Sequence, residues 1–152
     1  MRIAKKVAAV AVSLAALTSL SGCATLFGLF GGKSEHECMT RVMDFESNRS
    51  SPDGMVAVGT VVMNRVASHQ FPGDVCGVVG QKNQFAPGVL SKRMTEPRSV
   101  QLASAMATRV LRGERHHGVQ DAMYFHTAGL SFPYRNMHYT IVAGGNAFYA
   151  RR

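Results

Sequence analysis

The segment from Met55 to Ser68 (MVAVGTVVMNRVAS) constrains the fold most strongly, because a helix built from it is apolar on nearly every side. A helix without a polar face has to be covered by other elements all round. Ser51, Pro52 and Asp53 precede it as a typical helix start, with a capping side chain, a proline in the first turn and an acid near the positive end. At 152 residues, the chain has room for one domain around this central helix.

Two polar residues, Asn64 and Arg65, interrupt this helix near its end. One interpretation is structural: their side chains bind carbonyl groups at the helix end and in the neighbouring loop. The other is functional: they support and orient a catalytic acid. The sequence pattern leaves both interpretations open.

A preceding helix, predicted from Glu35 to about Asn48, carries an acid within its apolar stripe. Glu46 lies at i+4 from Val42 and i+3 from Met43, in the middle of that stripe. An ionised carboxylate there is costly unless it is paired, so we expect a raised pKa, which suits a general acid. A Glu46 bonded to an Arg or to the backbone for structural reasons alone is an equal alternative. The stripe comprises Cys38, Met39, Val42, Met43 and Phe45, and the opposite polar face comprises Thr40, Arg41, Asp44, Ser47 and Asn48.

The rest of the chain predicts one more helix and then short strands. The helix runs from Ser99 to Leu111, and Gly113 follows it as a C-terminal cap would. The segment from Asp74 to Gln84 is predicted as a loop. Strands are predicted at 122–127, 139–142 and 147–150, with a hairpin turn at 144–146. Helices first and a small antiparallel sheet last predict an α+β domain.

Gln84 and Phe85 form a candidate sugar-binding loop, because an amide beside an aromatic ring is a common way to hold a sugar. The alternative is that the Phe85 ring simply fills the core. The sequence does not separate the two.

The N-terminus has the pattern of an export signal. Residues 1–22 combine a basic start with a short apolar run, and Leu20-Ser21-Gly22-Cys23 resembles the bacterial lipobox. We expect cleavage before Cys23, lipidation of Cys23, a tether over 23–34 and a folded domain over 35–152. An ordinary signal with a chance Cys23 is the alternative. The residue after Cys23 is Ala24 and not Asp, which resembles lipoproteins that are sorted to the outer membrane. We therefore expect an exported lipoprotein on the periplasmic face of the outer membrane.

The charge of the chain favours an anionic polymer as its partner. Removal of the signal takes away three cations and no acids, which lowers the net charge from +8 to +5. Cell wall and nucleic acid both suit that charge. Because an exported lipoprotein rarely meets nucleic acid, we expect cell wall as the partner and no nucleic acid.

The cysteines follow from the same expectation of export. With Cys23 lipidated, Cys38 and Cys76 remain in an oxidising compartment, where thiols pair. We predict a Cys38–Cys76 disulfide. A catalytic thiol assisted by one of the six His residues is the alternative.

No motif predicts a metal or cofactor site. His116, His117, His126 and His138 lack the spacing of a zinc site, and no GxSxG or phosphate-binding loop is present. Glu46 also has no carboxylate partner in sequence. The acids that only the fold could bring near it are Asp53, Asp74 and Asp121.

Several ordered motifs together resemble the cell wall hydrolase family typified by the spore-cortex-lytic enzyme SleB and its relative CwlJ. The resemblance covers about residues 37–152. Its pieces are Glu37-Cys38, Phe45-Glu46 with Gly54 following, the helix 56–66, the run 71–79 (FPGDVCGVV), Gln84-Phe85, the helix end 110–113, the strand 122–127 with His126, and Phe148-Tyr149.

The resemblance implies a lysozyme-like fold and cleavage of the MurNAc–GlcNAc bond of peptidoglycan by a lytic transglycosylase. Glu46 stands at the position of the catalytic acid, which protonates the glycosidic oxygen and then accepts the proton of the muramoyl 6-hydroxyl. That route needs no second carboxylate, unlike the usual glycosidases. The expected substrate contacts are Gln84, Phe85, Tyr124, His126 and Thr127, supported by Asn64 and Arg65.

The sequence departs from the family pattern at three positions. Ser50 replaces a second Glu, Tyr124 stands where many members have His, and Asn146 stands where a closing His is usual. Ser50 removes a two-carboxylate hydrolytic route that uses that position. The departures leave a degenerate lipoprotein that binds peptidoglycan without cutting it as one alternative to a transglycosylase, and a hydrolytic muramidase is the other.

Overall fold

The computed structural model describes residues 32–152. The predicted signal over 1–22, lipidation at Cys23 and most of the predicted tether lie outside the described residues. Ser34, assigned to the tether, caps the first helix by accepting a hydrogen bond from the Glu37 amide. No helix within the described range is long and apolar enough to cross a membrane.

Four α-helices form the first part of the described chain. They are α1 (Glu35–Glu46), α2 (Pro52–Val66), α3 (Val75–Val79) and α4 (Pro97–Leu111), and a short 3-10 turn follows at His117–Val119. The three long helices match the predictions within about two residues. Helix α3 lies where we predicted a loop, because five residues are too few to show a helical period.

Helix α2 is the centre of the fold, as its sequence predicted. Every residue from Gly54 to Val62 is buried, and α1, α3 and α4 all pack against it. Ser51 caps α2 through the Gly54 amide, and Pro52 occupies its first turn. Burial on all sides is what a helix without a polar face requires.

The polar face predicted for α1 is partly wrong. Thr40 and Asp44 were assigned to solvent, but they are 5% and 1% exposed. The reason is that α4 packs on that side of α1, and the Ser99 hydroxyl of α4 donates a hydrogen bond to Asp44 Oδ1. Periodicity within one helix cannot show where a later helix will dock.

Three antiparallel strands complete the domain: β1 (Tyr124–Thr127), β2 (Met137–Ala143) and β3 (Asn146–Arg151), in the order β1-β3-β2. The turn between β2 and β3 consists of Gly144 and Gly145, with φ of 54° and 85°. Two consecutive positive φ values are typical of the tight hairpin turn and favour glycine. Asn146, predicted as part of the turn, is the first residue of β3 instead.

A close contact between two glycines joins this hairpin to α2. A Cβ atom added to Gly54 would lie 2.5 Å from the Gly144 Cα, and one added to Gly144 would lie 2.4 Å from the Gly54 Cα. Neither position therefore accepts a side chain without movement of the backbone. The contact sets the hairpin turn against the first turn of α2.

The predicted disulfide is present. Cys38 of α1 and Cys76 of α3 are bonded, with their Cα atoms 5.3 Å apart. The bond closes a separation of 38 residues and holds the two helices together. The cysteines therefore form a structural link, and the catalytic-thiol alternative does not apply to them.

Candidate active site

Glu46 is the last residue of α1 and is only partly buried. The backbone amide of Ala86 donates a hydrogen bond to its Oε1, at 2.5 Å. The amide and hydroxyl of Ser47 end the helix by binding the Met43 carbonyl. The acid thus sits at a helix end facing the loop that contains Gln84 and Phe85.

The environment of Glu46 raises its pKa above the ordinary value of 4.5. Burial is the main cause, because it penalises the charged form. The Ala86 hydrogen bond and the positive charge of Arg65 act in the opposite direction without cancelling it. The carboxyl group therefore keeps a proton to a higher pH than an exposed Glu, while a neighbouring cation supports its ionised form.

Arg65 is a buried cation enclosed by aromatic rings. Its side chain is 3% exposed, and its guanidinium carbon lies 5.0 Å from the ring centres of Phe71 and Phe85 and 5.7 Å from that of Tyr124. Its Nε donates to the Met123 carbonyl at 2.7 Å, whereas Nη1 is buried without a partner among residues 32–152. Cation–π contacts of this kind stabilise a charge that burial alone would disfavour.

Asn64 holds the chain that leads into β1. Its Nδ2 donates to the carbonyls of Gln120 and Ala122, at 2.9 Å each. Asn64 therefore fits the structural interpretation, in which a polar side chain of α2 binds carbonyl groups of the neighbouring loop. Arg65 combines both interpretations, because it binds the Met123 carbonyl and also acts electrostatically on Glu46.

Asn146 ties the sheet to the end of α1 that carries Glu46. Its Nδ2 donates to the backbone carbonyl of Glu46 at 2.6 Å, and it pairs with Thr127 in the β-ladder. We predicted Asn146 as part of the hairpin turn and noted it as a departure from the family pattern, but did not predict this contact. The one available signal was a polar residue beside a glycine turn, and it does not show which carbonyl is bound.

The two residues of the predicted sugar-binding loop lie in different environments. Gln84 is exposed, whereas Phe85 is 9% exposed, packs against Phe125 and lies under Arg65. The core-filling alternative therefore describes the Phe85 ring. The loop that carries it also lines a pocket of about 350 Å³ that includes Phe85 and Ala86.

Strand β1 brings Tyr124, His126 and Thr127 to the edge of the sheet. Tyr124 lies beside Arg65, and Thr127 pairs with the residue that binds the Glu46 carbonyl. His126 packs instead among the rings of Phe132, Tyr139 and Tyr149. Tyr124 is thus linked to Glu46 through Arg65, and Thr127 is linked to it through Asn146. His126 lies on the outer face of the sheet.

The three acids that the fold might have brought to Glu46 are engaged elsewhere. Asp53 binds His116 at 2.9 Å, Asp74 caps α3 and Asp121 pairs with Arg152 at 2.8 Å. Ser50 is exposed and binds the Asn48 side chain. Within residues 32–152, no three His, Cys, Asp or Glu side chains form a potential metal site.

Comparison with known proteins identifies the family. The sequence model described as Cell Wall Hydrolase matches residues 49–149, about two thirds of the chain. That match begins after Glu46, so the assignment of the acid depends on the geometry above and on the sequence resemblance. No curated protein is significantly similar in sequence.

Two solved structures show the same fold. The catalytic domain of the germination-specific lytic transglycosylase SleB from Bacillus anthracis has a TM-score of 0.61 at 23% identity, over 79% of this chain and 98% of that one. The catalytic domain of Bacillus cereus SleB has a TM-score of 0.63 at 23% identity, over 79% and 94%. The fold is therefore α+β and lysozyme-like, as predicted. Since the family model covers most of the chain, this protein belongs to the cell wall hydrolase family.

Proposed function

We propose that this protein cleaves the MurNAc–GlcNAc bond of peptidoglycan as a lytic transglycosylase, with Glu46 as the acid and then the base. The observation that carries this proposal is the lone, partly buried carboxyl group with a raised pKa. Asp53, Asp74 and Asp121 are bound to other groups. One carboxyl group suits a reaction in which the substrate supplies its own nucleophile.

The reaction balances with a single residue. Protonated Glu46 gives its proton to the glycosidic oxygen as the bond from that oxygen to the muramoyl C1 breaks. The muramoyl 6-hydroxyl oxygen then bonds to C1, and the Glu46 carboxylate accepts its proton. The products are a 1,6-anhydro end and a free GlcNAc hydroxyl, and Glu46 is protonated again for the next cycle.

The surrounding contacts support each half of this cycle. Burial favours the protonated acid before cleavage, and Arg65 favours the carboxylate after it. Ala86 binds Oε1, which leaves Oε2 to face the glycosidic oxygen. We assign Gln84, Tyr124, His126 and Thr127 to substrate contacts, with Asn64 and Arg65 as positioning residues. The Phe85 ring supports Arg65 from the core.

We also propose that the protein acts as a lipoprotein. In this proposal residues 1–22 are the signal, Cys23 carries the lipid, and the domain works from the periplasmic face of the outer membrane. The lipobox-like sequence and the net charge of +5 without the signal support it. A lipid anchor would hold the enzyme beside its polymeric substrate.

The test is mass spectrometry of the fragments released from purified sacculi by the full chain in a mild detergent. We expect fragments lighter by one water molecule than their reducing-end equivalents, which shows the anhydro ring. Reducing ends would instead show a hydrolytic muramidase. The absence of fragments with binding retained would show a degenerate binding lipoprotein.

Two variants distinguish the role of Glu46 from that of another acid on α1. Glu46→Gln should release no fragments. Glu37→Gln makes the same change on the same helix, where Lys33 and Arg41 bind the carboxylate at the surface, and should digest like the wild type. Fragment release by Glu46→Gln at more than half of the wild-type rate would overturn the assignment.

A further inference from the structure

The solvent side of the sheet carries a row of aromatic rings. Tyr124 of β1 and Tyr139 of β2 both pair with Tyr149 of β3, so the three rings lie side by side on one face. Their ring centres are 5.5 Å and 5.6 Å from that of Tyr149. The opposite face, with Phe125 and Phe148, packs into the core.

The segment between β1 and β2 extends this row. Phe132 and Tyr134 stack with their ring planes 12° apart, and Phe132 contacts His126 at 4.8 Å. We call this set the aromatic shelf; its members are Tyr124, His126, Phe132, Tyr134, Tyr139 and Tyr149.

Three rings of the shelf are open to solvent. Phe132 is 42% exposed, Tyr139 51% and Tyr134 64%. An exposed apolar patch of large rings is unusual on a soluble surface and indicates a binding function.

Hydrogen bonds fix the central rings before any ligand arrives. His126 Nδ1–H donates to the Thr127 carbonyl at 2.8 Å, and Nε2 forms a hydrogen bond with the Tyr139 hydroxyl, also at 2.8 Å. Tyr139 is therefore held although half of it is exposed. A ring that is already held loses little conformational entropy on binding.

An unpaired cation lies at one end of the shelf. Arg151 follows Tyr149 by two residues on β3, which places it on the same face. Its guanidinium carbon lies 4.5 Å above the Tyr124 ring, and it lines a pocket of about 330 Å³ with Tyr134, Asn136 and Met137. Within the described range Arg151 makes no ion pair, in contrast to Arg152.

The shelf is continuous with the surroundings of the acid. The Tyr124 ring contacts Arg151 on the shelf and also Arg65, whose charge acts on Glu46. A polymer lying across Tyr124 would reach both the shelf and the surroundings of Glu46.

We propose that the aromatic shelf binds the glycan strand beyond the cleavage point, and that Arg151 binds a carboxylate of that strand. This rests on the proposed function for the identity of the strand. Flat rings match the apolar C–H face of a pyranose, and a guanidinium matches a carboxylate through two parallel hydrogen bonds. In peptidoglycan the carboxylate belongs either to the stem peptide or to the lactyl group of a MurNAc without a peptide, because the peptide is joined to the lactyl carboxyl group by an amide bond.

Three ligands test the shelf, with binding measured on the full chain in detergent by fluorescence anisotropy. They are peptide-bearing strands, amidase-treated strands in which removal of the peptide has freed the lactyl carboxylate, and N-acetylglucosamine oligomers that have no carboxylate. The Glu46→Gln background prevents turnover. Arg151→Gln should weaken binding of a carboxylate-bearing strand about tenfold and leave the oligomers unchanged.

The pattern of loss identifies the source of the carboxylate. Weaker binding of amidase-treated strands alone indicates the lactyl group, and weaker binding of peptide-bearing strands alone indicates the stem peptide. Weaker binding of both kinds of strand indicates that Arg151 accepts either carboxylate. Tyr134→Ala should weaken the binding of all three ligands, because stacking does not depend on charge.

Matched controls lie beside each site. Arg152→Gln removes the neighbouring charge, which Asp121 already pairs, and Leu130→Ala removes an exposed apolar side chain from the same β1–β2 segment. Both should bind all three ligands like the parent.

Equal affinities for parent, Arg151→Gln and Tyr134→Ala would overturn the proposal even if the wild type releases anhydro fragments. The converse result is that the variants lose binding selectively as expected while the wild type releases no fragments. That result would support the proposal for the shelf and reject the catalytic proposal. A steeply salt-dependent affinity for DNA that exceeds the affinity for strands would also overturn it.

Discussion

The last turn of α1 presents two carboxyl groups in two contrasting regions. On one side, Asp44 is 1% exposed against α4, where the Ser99 hydroxyl binds Oδ1 and Oδ2 is buried without a partner. On the other side, Glu46 is partly buried against the 84–86 loop, with a backbone amide and a nearby cation. Two residues of similar chemistry on one turn thus have different surroundings.

The difference teaches that burial alone does not define a catalytic acid. Asp44 is the more buried group, but it is packed between two helices and no substrate can reach it. Glu46 is less buried and faces a loop and a sheet edge, where a polymer can approach. Access combined with partial burial, and not the depth of burial, distinguishes Glu46, the acid that we propose for catalysis.

The largest effect expected from this comparison is the loss of activity in Glu46→Gln. General acid catalysis contributes about 10²–10⁴-fold in rate, so fragment release from sacculi should fall by at least that factor. The melting temperature should be unchanged or higher, because no carboxyl group is then desolvated. A variant that melts normally and retains more than half of the wild-type rate would contradict the catalytic role proposed for Glu46.

Asp44→Ala should mainly reduce stability. It leaves the buried Ser99 hydroxyl without its acceptor, and an unsatisfied buried group costs about 1–3 kcal/mol. Urea unfolding measures the loss, and the rate per folded molecule should stay near that of the wild type. In the double variant with Ser99→Ala the two losses should not add. A large loss of rate without loss of stability would place Asp44 in the catalytic reaction.

Arg65→Met sharpens the comparison through the pH profile. With Glu46 as the single acid, kcat/KM should fall on the alkaline side as that group loses its proton. Removal of the cation raises the pKa of Glu46 further, so the falling limb should move to higher pH. Arg65→Lys keeps the charge and should keep the limb in place. A limb that stays fixed in Arg65→Met would show that Arg65 acts only by packing.

The smallest expected effect is the change in the stability of the fold with pH that results from the titration of Glu46. The folded state raises the pKa of Glu46 above 4.5, so it holds the proton more tightly than the unfolded chain does. The resulting stabilisation is complete below about pH 4.5 and is lost as the pH rises through the folded-state value. The melting temperature of Glu46→Gln minus that of the wild type should therefore grow over this window and level off above it. A constant difference from about pH 4 to about pH 8 would contradict a raised pKa.

The sequence was sufficient to predict the features that depend on local pattern. Periodicity predicted the three long helices and the place of Glu46 in an apolar stripe, and two remaining cysteines predicted the disulfide. Each of these inferences uses neighbours within one helix or a count of one residue type.

Features that depend on docking were missed. The burial of Asp44 depends on Ser99, 55 residues away, and the contact from Asn146 to the Glu46 carbonyl spans 100 residues. The Ala86 amide that binds Glu46 is a backbone group, so no residue type marks it. The aromatic shelf requires the β-register, which brings Tyr124, Tyr139 and Tyr149 together.

The contact between Gly54 and Gly144 has a consequence for protein engineering. Replacing glycine by alanine is a standard way to raise thermostability, because it restricts the unfolded chain. Gly73, with no atom within 4 Å of an added Cβ, is a suitable place for it. At Gly54 or Gly144 the same change would push the hairpin away from α2, and the Asn146 side chain would move away from the catalytic turn with it. A mutant library should therefore keep these two glycines fixed as a pair, although 90 positions separate them in the sequence.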